Sequence, residues 1–463
     1  LSKVKVKNDM TKGKEWKLIL LFTIPLMIGN IVQQMYNVVD GIIVGNYVGE
    51  TSFAAVATSG PLTLLYLALA FGLSVGVSIV TSQYFGAGKK DELPVAIDTA
   101  LLLLGACGLI FTFVGILLSP YILKEVLSVP DAVYPAALVY IRIFSFGLVF
   151  QFLYNCIAAI LRSFGDSKAT LYFLIVGAVL NAILSVLFVL VFKWGIAGAA
   201  LGTVIAQSTC TFISYMYLRK YYPFIKGGKH WDTKLALTMT KLGLPIAAQM
   251  CIISFGNGAM QRLVNGFETT TQGIVAAYGA ASRLDSIIFA PMSSFQAGLS
   301  NFTGQNLGAG KIDRVRRGHR SALIMSVSCT IVVSIVYGLI AETVVGFFGL
   351  SDNSLVIGVE IAHYFVMFYW ILSCNMMFSG VLQGAGDTVV ITLASLTSLV
   401  VRVVSGYTLA HFGLLGYSAA WVPVPLGWVC WSAIIYSRFF SGKWKDKVLV
   451  GNLNSNEAEG AIL

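Results

Sequence analysis

The chain has 463 residues, 57% of them hydrophobic and only 11% charged, with a formal net charge of +10 and a mean hydropathy of +0.80. Soluble globular domains carry about 25% charged residues, so the composition excludes a water-soluble fold and implies an all-α polytopic membrane protein. The long unbroken apolar runs lack the alternation of a β-barrel, and the basic residues concentrate in the loops between spans, so the excess reports topology and not a nucleic-acid partner.

Residues 1–16 form a basic tail with Lys3, Lys5, Lys7, Lys12 and Lys14. Twelve apolar segments follow, each long enough to cross about 30 Å of hydrocarbon as a helix. The first, 17–45, contains IPLMIGNIVQQMYNVVDGIIVG at 24–45, where Asp40 is the sole charge between Leu18 and Tyr47. Segments at 53–82, 93–121 and 133–161 come next, the last holding Asn155 in QFLYNCIAA, a candidate cavity residue. Those at 168–192 and 195–218 complete a first bundle, 17–218. A linker at 219–235 is rich in Pro, Gly and basic residues. A second bundle, 236–441, holds segments at 236–263, 273–304, 321–348, 357–382, 389–411 and 414–440, and residues 442–463 form a polar tail. The first segment is too long for a cleavable signal and lacks a small-residue cleavage site, so it reads as a span.

Lys and Arg cluster after every second segment, Arg162 and Lys168 after the fourth among them, and cationic loops stay in the cytoplasm. Both termini and the linker are therefore expected on the cytoplasmic side of the cell inner membrane. Seven dispersed cysteines without a CxxC pair, and four dispersed histidines, indicate neither a disulfide framework nor a zinc site. No cofactor is expected.

The two halves repeat. QYFGAGKKD at 83–91 matches QNLGAGKID at 305–313, LRSFGDS at 161–167 matches LQGAGDT at 382–388, and Pro25 matches Pro245, all at offsets of 220–222. Six spans per half give both the same orientation, the parallel-repeat plan of some transporters, with the substrate site between the halves. The GAGK loops lack the GxxxxGK[ST] spacing of a phosphate cradle and read as tight cytoplasmic turns.

Asp40 either caps a helix interface or binds a proton or cation inside the membrane. An Asp at the bilayer centre costs about 2.5–3.5 kcal/mol on insertion scales, so it is expected to face a bundle interior or a wet cavity. Tyr36 lies one turn before it on the same face. Pro25 has no N–H to donate and should kink the first helix; a hinge role is a further expectation. Asp285 in SRLDSIIF is a candidate cavity acid of the second bundle, and its spacing from Arg283 does not make an ion pair on one helix face. Arg402 occupies the repeat position of Asn181 and is expected to pair with a carboxylate or with carbonyls. Isolated intramembrane Asn and Thr residues, Asn181 and Thr203 among them, are as a rule interhelical hydrogen-bond partners.

The ordered set Pro25, Gln33, Gln34, Tyr36, Asn37, Asp40, Gly41 and Gly45, together with the paired GAGK and GD loops, resembles the multidrug and toxic compound extrusion (MATE) family of antiporters over about residues 15–440. The resemblance implies two six-helix bundles facing each other in a V, and export of organic cations or drugs against H⁺ or Na⁺. It implies a coupling site of Asp40, Asn181 in VLNAILS and Thr203 in AALGT. Where the family often has a second acid, this chain has Ser185, which could add an oxygen ligand but removes a carboxylate. The seventh segment has no acid at 246–261. One acid leans toward H⁺; were the ion Na⁺, Asp40, Asn181 and Thr203 would be its metal ligands. The expected partners are small organic cations, the coupling ion and the bilayer, with the chain a monomer. A lipid-linked oligosaccharide flippase is the alternative, disfavoured by the scarcity of intramembrane bases. A membrane-embedded enzyme would need clustered His, Cys or carboxylates, and a channel is a further rival.

Overall fold

A computed structural model of the chain describes residues 9–43, 47–48, 50–89, 91–222 and 230–450, without the side chains of 36–43, 50 and 53. Its helices in the first half are α1 (Glu15–Ile43), α2 (Glu50–Gly86), α3 (Glu92–Tyr121), α4 (Tyr134–Phe146), α5 (Leu148–Ser163), α6 (Ser167–Val186) and α7 (Gly195–Tyr221). Those in the second are α8 (Thr233–Phe267), α9 (Ile274–Gly308), α10 (Ile312–Leu339), α11 (Ala341–Gly346), α12 (Asp352–Val366), α13 (Tyr369–Ala385), α14 (Thr388–His411) and α15 (Val424–Phe440). Nine helical segments among the described residues are long and apolar enough to cross a membrane, and the bent pairs α4–α5 and α12–α13 bring that to eleven. The 35-residue α9, less hydropathic than those, fills the remaining place, giving twelve spans in two bundles of six.

The repeat reaches beyond the matched loops. The α4–α5 span bends by 44° and the α12–α13 span by 49°, and Leu148 and Tyr369, the first residues after each break, are 221 apart. In one half α5 packs on α2, α3 and α7, and α6 on α7; in the other α13 packs on α9, α10 and α15, and α14 on α15. The GAGK turns close alike. Gly88 and Gly310 take φ of +70° and +69°, a left-handed conformation that suits glycine. Lys89 N donates to Tyr84 O at 3.3 Å and Lys311 N to Asn306 O at 2.7 Å. The GD turns follow suit: Asp166 N donates to Leu161 O at 2.9 Å and Asp387 N to Leu382 O at 2.8 Å.

By packing, the chain forms two compact units. Ile24–Ala247 make up the body of one, and Thr11–Thr23 with the residues from Ala248 onward the other. The divisions fall inside α1 and α8, beside Pro25 and Pro245. α1 and α8 run helical through their prolines, although a proline leaves the carbonyl four residues earlier without its helical donor.

Small residues let the exchanged segments dock. In the first unit α8 crosses α2 so closely that a Cβ on Gly76 would lie 2.1 Å from Met239 O and 2.9 Å from Gly243 N. In the second, a Cβ on Gly298 of α9 would lie 2.7 Å from Thr23 Oγ1 of α1. Gly76 and Gly298 are 222 apart, and Thr23 and Gly243 are 220 apart, so this is one contact made twice. The approaches to the two helices are anchored too. Arg314 Nη1 and Arg317 Nε of α10 reach Glu15 Oε1 at 3.2 and 3.0 Å. In the first unit His230 Nδ1 lies 3.2 Å from Asp98 Oδ2 of α3, and Asp232 N donates to Thr99 Oγ1 at 3.1 Å.

Candidate functional site

The first unit encloses a cavity of about 430 Å³. Each of four helices gives it one stripe at helical spacing: Pro25, Gly29 and Gln33 from α1, Gln151, Asn155 and Arg162 from α5, Thr170, Gly177 and Asn181 from α6, and Thr203, Gln207 and Cys210 from α7. Pro25 and Asn155 thus both line it. Asn155 turns its amide inward on its own helix, Nδ2 donating to Gln151 O at 2.8 Å.

Asn181 and Thr203, on this cavity's wall, come together with the fully buried Ser185. Asn181 Nδ2 donates to Thr203 Oγ1 at 3.0 Å, and Ser185 Oγ donates to Asn181 Oδ1 at a longer 3.4 Å. Thr203 Oγ1 also donates back to Ala199 O at 3.2 Å. The run GIAGAALGT at the start of α7 makes this possible, since small residues let membrane helices approach closely. A Cβ on Gly202 would lie 3.3 Å from Ser185 N and Oγ. Asn181 and Ser185 are buried. The side chains of Asp40 and Tyr36 lie outside the described residues; both belong to the helical backbone of α1.

Asp285 belongs to the second unit and takes no part in this cavity. Its carboxylate accepts a hydrogen bond from the buried Tyr369 hydroxyl of α13. It makes no ion pair with Arg283, which lies 6.0 Å from the Phe348 ring centre. Arg402 Nη2 donates to the side-chain carbonyl of Asn257 at 2.8 Å. The described residues contain no group of three or more His, Cys, Asp or Glu placed to hold a metal.

Sequence reasoning placed Arg162 with the loop bases. It sits at the end of α5 and is the one Lys or Arg among the described residues lining the cavity. The signal was available: Gln151, Asn155, Ala158 and Arg162 recur at intervals of three or four, the spacing of one helix face.

Comparison with known proteins matches a model of the MatE family to two segments, residues 25–187 and 245–408. The second begins 220 residues after the first, at the second of the paired prolines. The chain is 29% identical over 441 residues to the probable multidrug resistance protein YpnP of Bacillus subtilis, covering 94% of this chain and 97% of that one. It is 26% identical to the probable multidrug resistance protein YoeA of the same organism, over 96% and 97% of the two chains. Among solved structures, that of a MATE point mutant superposes with a TM-score of 0.86 at 22% identity, covering 96% of this chain and 99% of that one. At that identity the likeness speaks for the fold.

Proposed function

The chain belongs to the MatE family of multi-pass membrane transporters, and from that premise we propose that it is a multidrug exporter working by alternating access. In this reading it expels amphipathic drug-like molecules in exchange for a cation, with H⁺ preferred over Na⁺. The family sets the transport class, and the curated relatives' names supply the drug. The observation that carries the coupling site is the network in which Asn181 and Thr203, on the wall of the first unit's cavity, bond to each other and Asn181 to the buried Ser185. It offers neutral oxygens, which suit a site needing one titrating acid from elsewhere.

Asp40 is the acid we assign. It follows the cavity-lining Gln33 by seven residues, two turns of helix. Ser185 in place of a second carboxylate makes a single proton a better fit than a two-acid Na⁺ site. A pyrophosphate-bearing lipid would call for several bases, and Arg162 alone among the described lining residues is basic, so the flippase reading is the weaker one. The alternating basic loops support a reading in which the protein sits in the cytoplasmic membrane with termini and linker inside, acting as a monomer.

The test is uptake of a fluorescent organic cation into inverted membrane vesicles, with a pH gradient and a Na⁺ gradient imposed separately. Wild type should respond to the pH gradient. Asp40→Asn, folded and well expressed, should not. Normal gradient-driven uptake by D40N would remove Asp40 from the coupling site, and a response to Na⁺ alone would make Na⁺ the coupling ion.

A further inference from the structure

The cavity of the first unit carries a positive charge that the coupling reading does not use. Arg162 lines it, and its guanidinium makes no hydrogen bond or ion pair with any described residue. No described lining residue is a carboxylate. A cation at a helix C-terminus offsets the helix dipole, but that effect does not require the side chain to face a cavity. A second donor stands free on the same wall: Gln207 Nε2 of α7 is buried and has no hydrogen-bond partner. A buried donor left unmade costs roughly 1–3 kcal/mol, and one that lines a cavity is satisfied when an acceptor enters. Among the uncharged polar groups of the wall stand apolar ones, Leu67, Phe144, Leu171, Phe173 and Leu174, which suit the hydrophobic part of a ligand.

We propose that this cavity takes an amphiphile bearing a carboxylate, whose two oxygens pair with the Arg162 guanidinium while Gln207 donates to another acceptor on the same molecule. Arginine presents its donors in a planar fork that matches a carboxylate. This rests on the transporter reading and narrows its cargo. The exporter would favour zwitterionic or anionic amphiphiles over the purely cationic ones that an acid-lined cavity selects.

A matched pair of dyes tests it. Rhodamine 110 carries a free carboxyl group, and rhodamine 123 is its methyl ester. Their affinities for the purified full-length protein in a neutral detergent are read by fluorescence anisotropy. Wild type should bind the free acid at least tenfold more tightly than the ester. Arg162→Gln should abolish that preference while changing ester affinity less than twofold, and Gln207→Leu should weaken both dyes and leave the preference in place. If R162Q does not fold, Arg162→Lys replaces it: charge without the fork should keep only part of the preference. Equal wild-type affinities, or a preference for the acid that survives removal of the guanidinium, would overturn the proposal. Vesicle uptake separates it from the function it rests on. Gradient-driven movement of the ester without any acid preference defeats this inference alone, whereas failure to move either dye defeats the exporter reading.

Discussion

Asp387 accepts a hydrogen bond from Arg438 Nε at 2.5 Å, tying the start of α14 to the end of α15. In the other half the equivalent Asp166 accepts from Tyr217 Oη at 2.9 Å and Tyr222 Oη at 3.2 Å. Tyr217 and Arg438 are again 221 apart, so one half closes this corner with an ion pair and the other with two phenols. Removing one partner of a buried pair costs about 3–5 kcal/mol, and Asp387 is 4% exposed. Arg438→Ala should therefore lower the melting temperature in detergent clearly. Tyr217→Phe should lower it less, because Tyr222 and the amide of Ala169 still donate to Asp166. A thermal melt of the two variants side by side checks the order, and the reverse order would refute it.

The glycine contact between α2 and α8 gives a prediction of opposite signs. Gly76→Ala would put a methyl group into the backbone of α8, and overpacking typically costs about 1–3 kcal/mol. Gly258→Ala, also in α8, meets nothing within 4 Å and should stabilise by up to about 1 kcal/mol through helix propensity. Unfolding in a denaturing detergent titration should move the two midpoints apart.

At the cavity wall, Thr203→Val removes the acceptor of Asn181 Nδ2 and leaves a buried donor unpaired, at a cost of about 1–3 kcal/mol. Ser185→Ala removes the longer contact to Asn181 Oδ1 and should cost less stability than T203V. If the network serves coupling, T203V should also weaken proton-driven uptake at a protein level equal to wild type. Both are read from a melt and a vesicle assay on the same preparation.

Glu268, in the turn between α8 and α9, accepts hydrogen bonds from Val275 N at 2.9 Å and Gly273 N at 2.7 Å, and these hold its carboxyl below the ordinary glutamate range. A carboxyl with a depressed folded value adds stability above its unfolded value and loses it as the pH falls through the folded one. Wild type should thus melt above Glu268→Gln at pH 7, and the gap should close in acid below the ordinary glutamate range. A gap that persists there would show that the carboxylate's charge is not the cause.

The twelve spans, the repeat and the turns at Gly88, Gly165, Gly310 and Gly386 were legible because they rest on local signals: apolar length, glycine where φ is positive, matched spacing. The breaks at Gly147 and at Met367–Phe368 were not, since no proline marks either and their cause is tertiary. The meeting of Asn181 with Thr203 was foreseen only through family resemblance, because partners 22 residues apart on adjacent helices leave no periodic trace. Arg162 was misplaced for a different reason. Counting bases by loop assigns a side chain to the membrane face nearest its Cα, whereas a long side chain at a helix end can reach inward.

The exchange of helix segments at Pro25 and Pro245 bears on how such a protein could ever have been smaller. A polypeptide ending in the linker keeps α2 but forfeits the segment that covers Gly76, and it carries residues 11–23 with nothing of their own unit to rest on. Cutting the chain there yields two incomplete fragments, each holding the missing piece of the other. A solitary ancestral half would have met the same shortage, and a second copy of itself, trading those same segments, would have been its remedy.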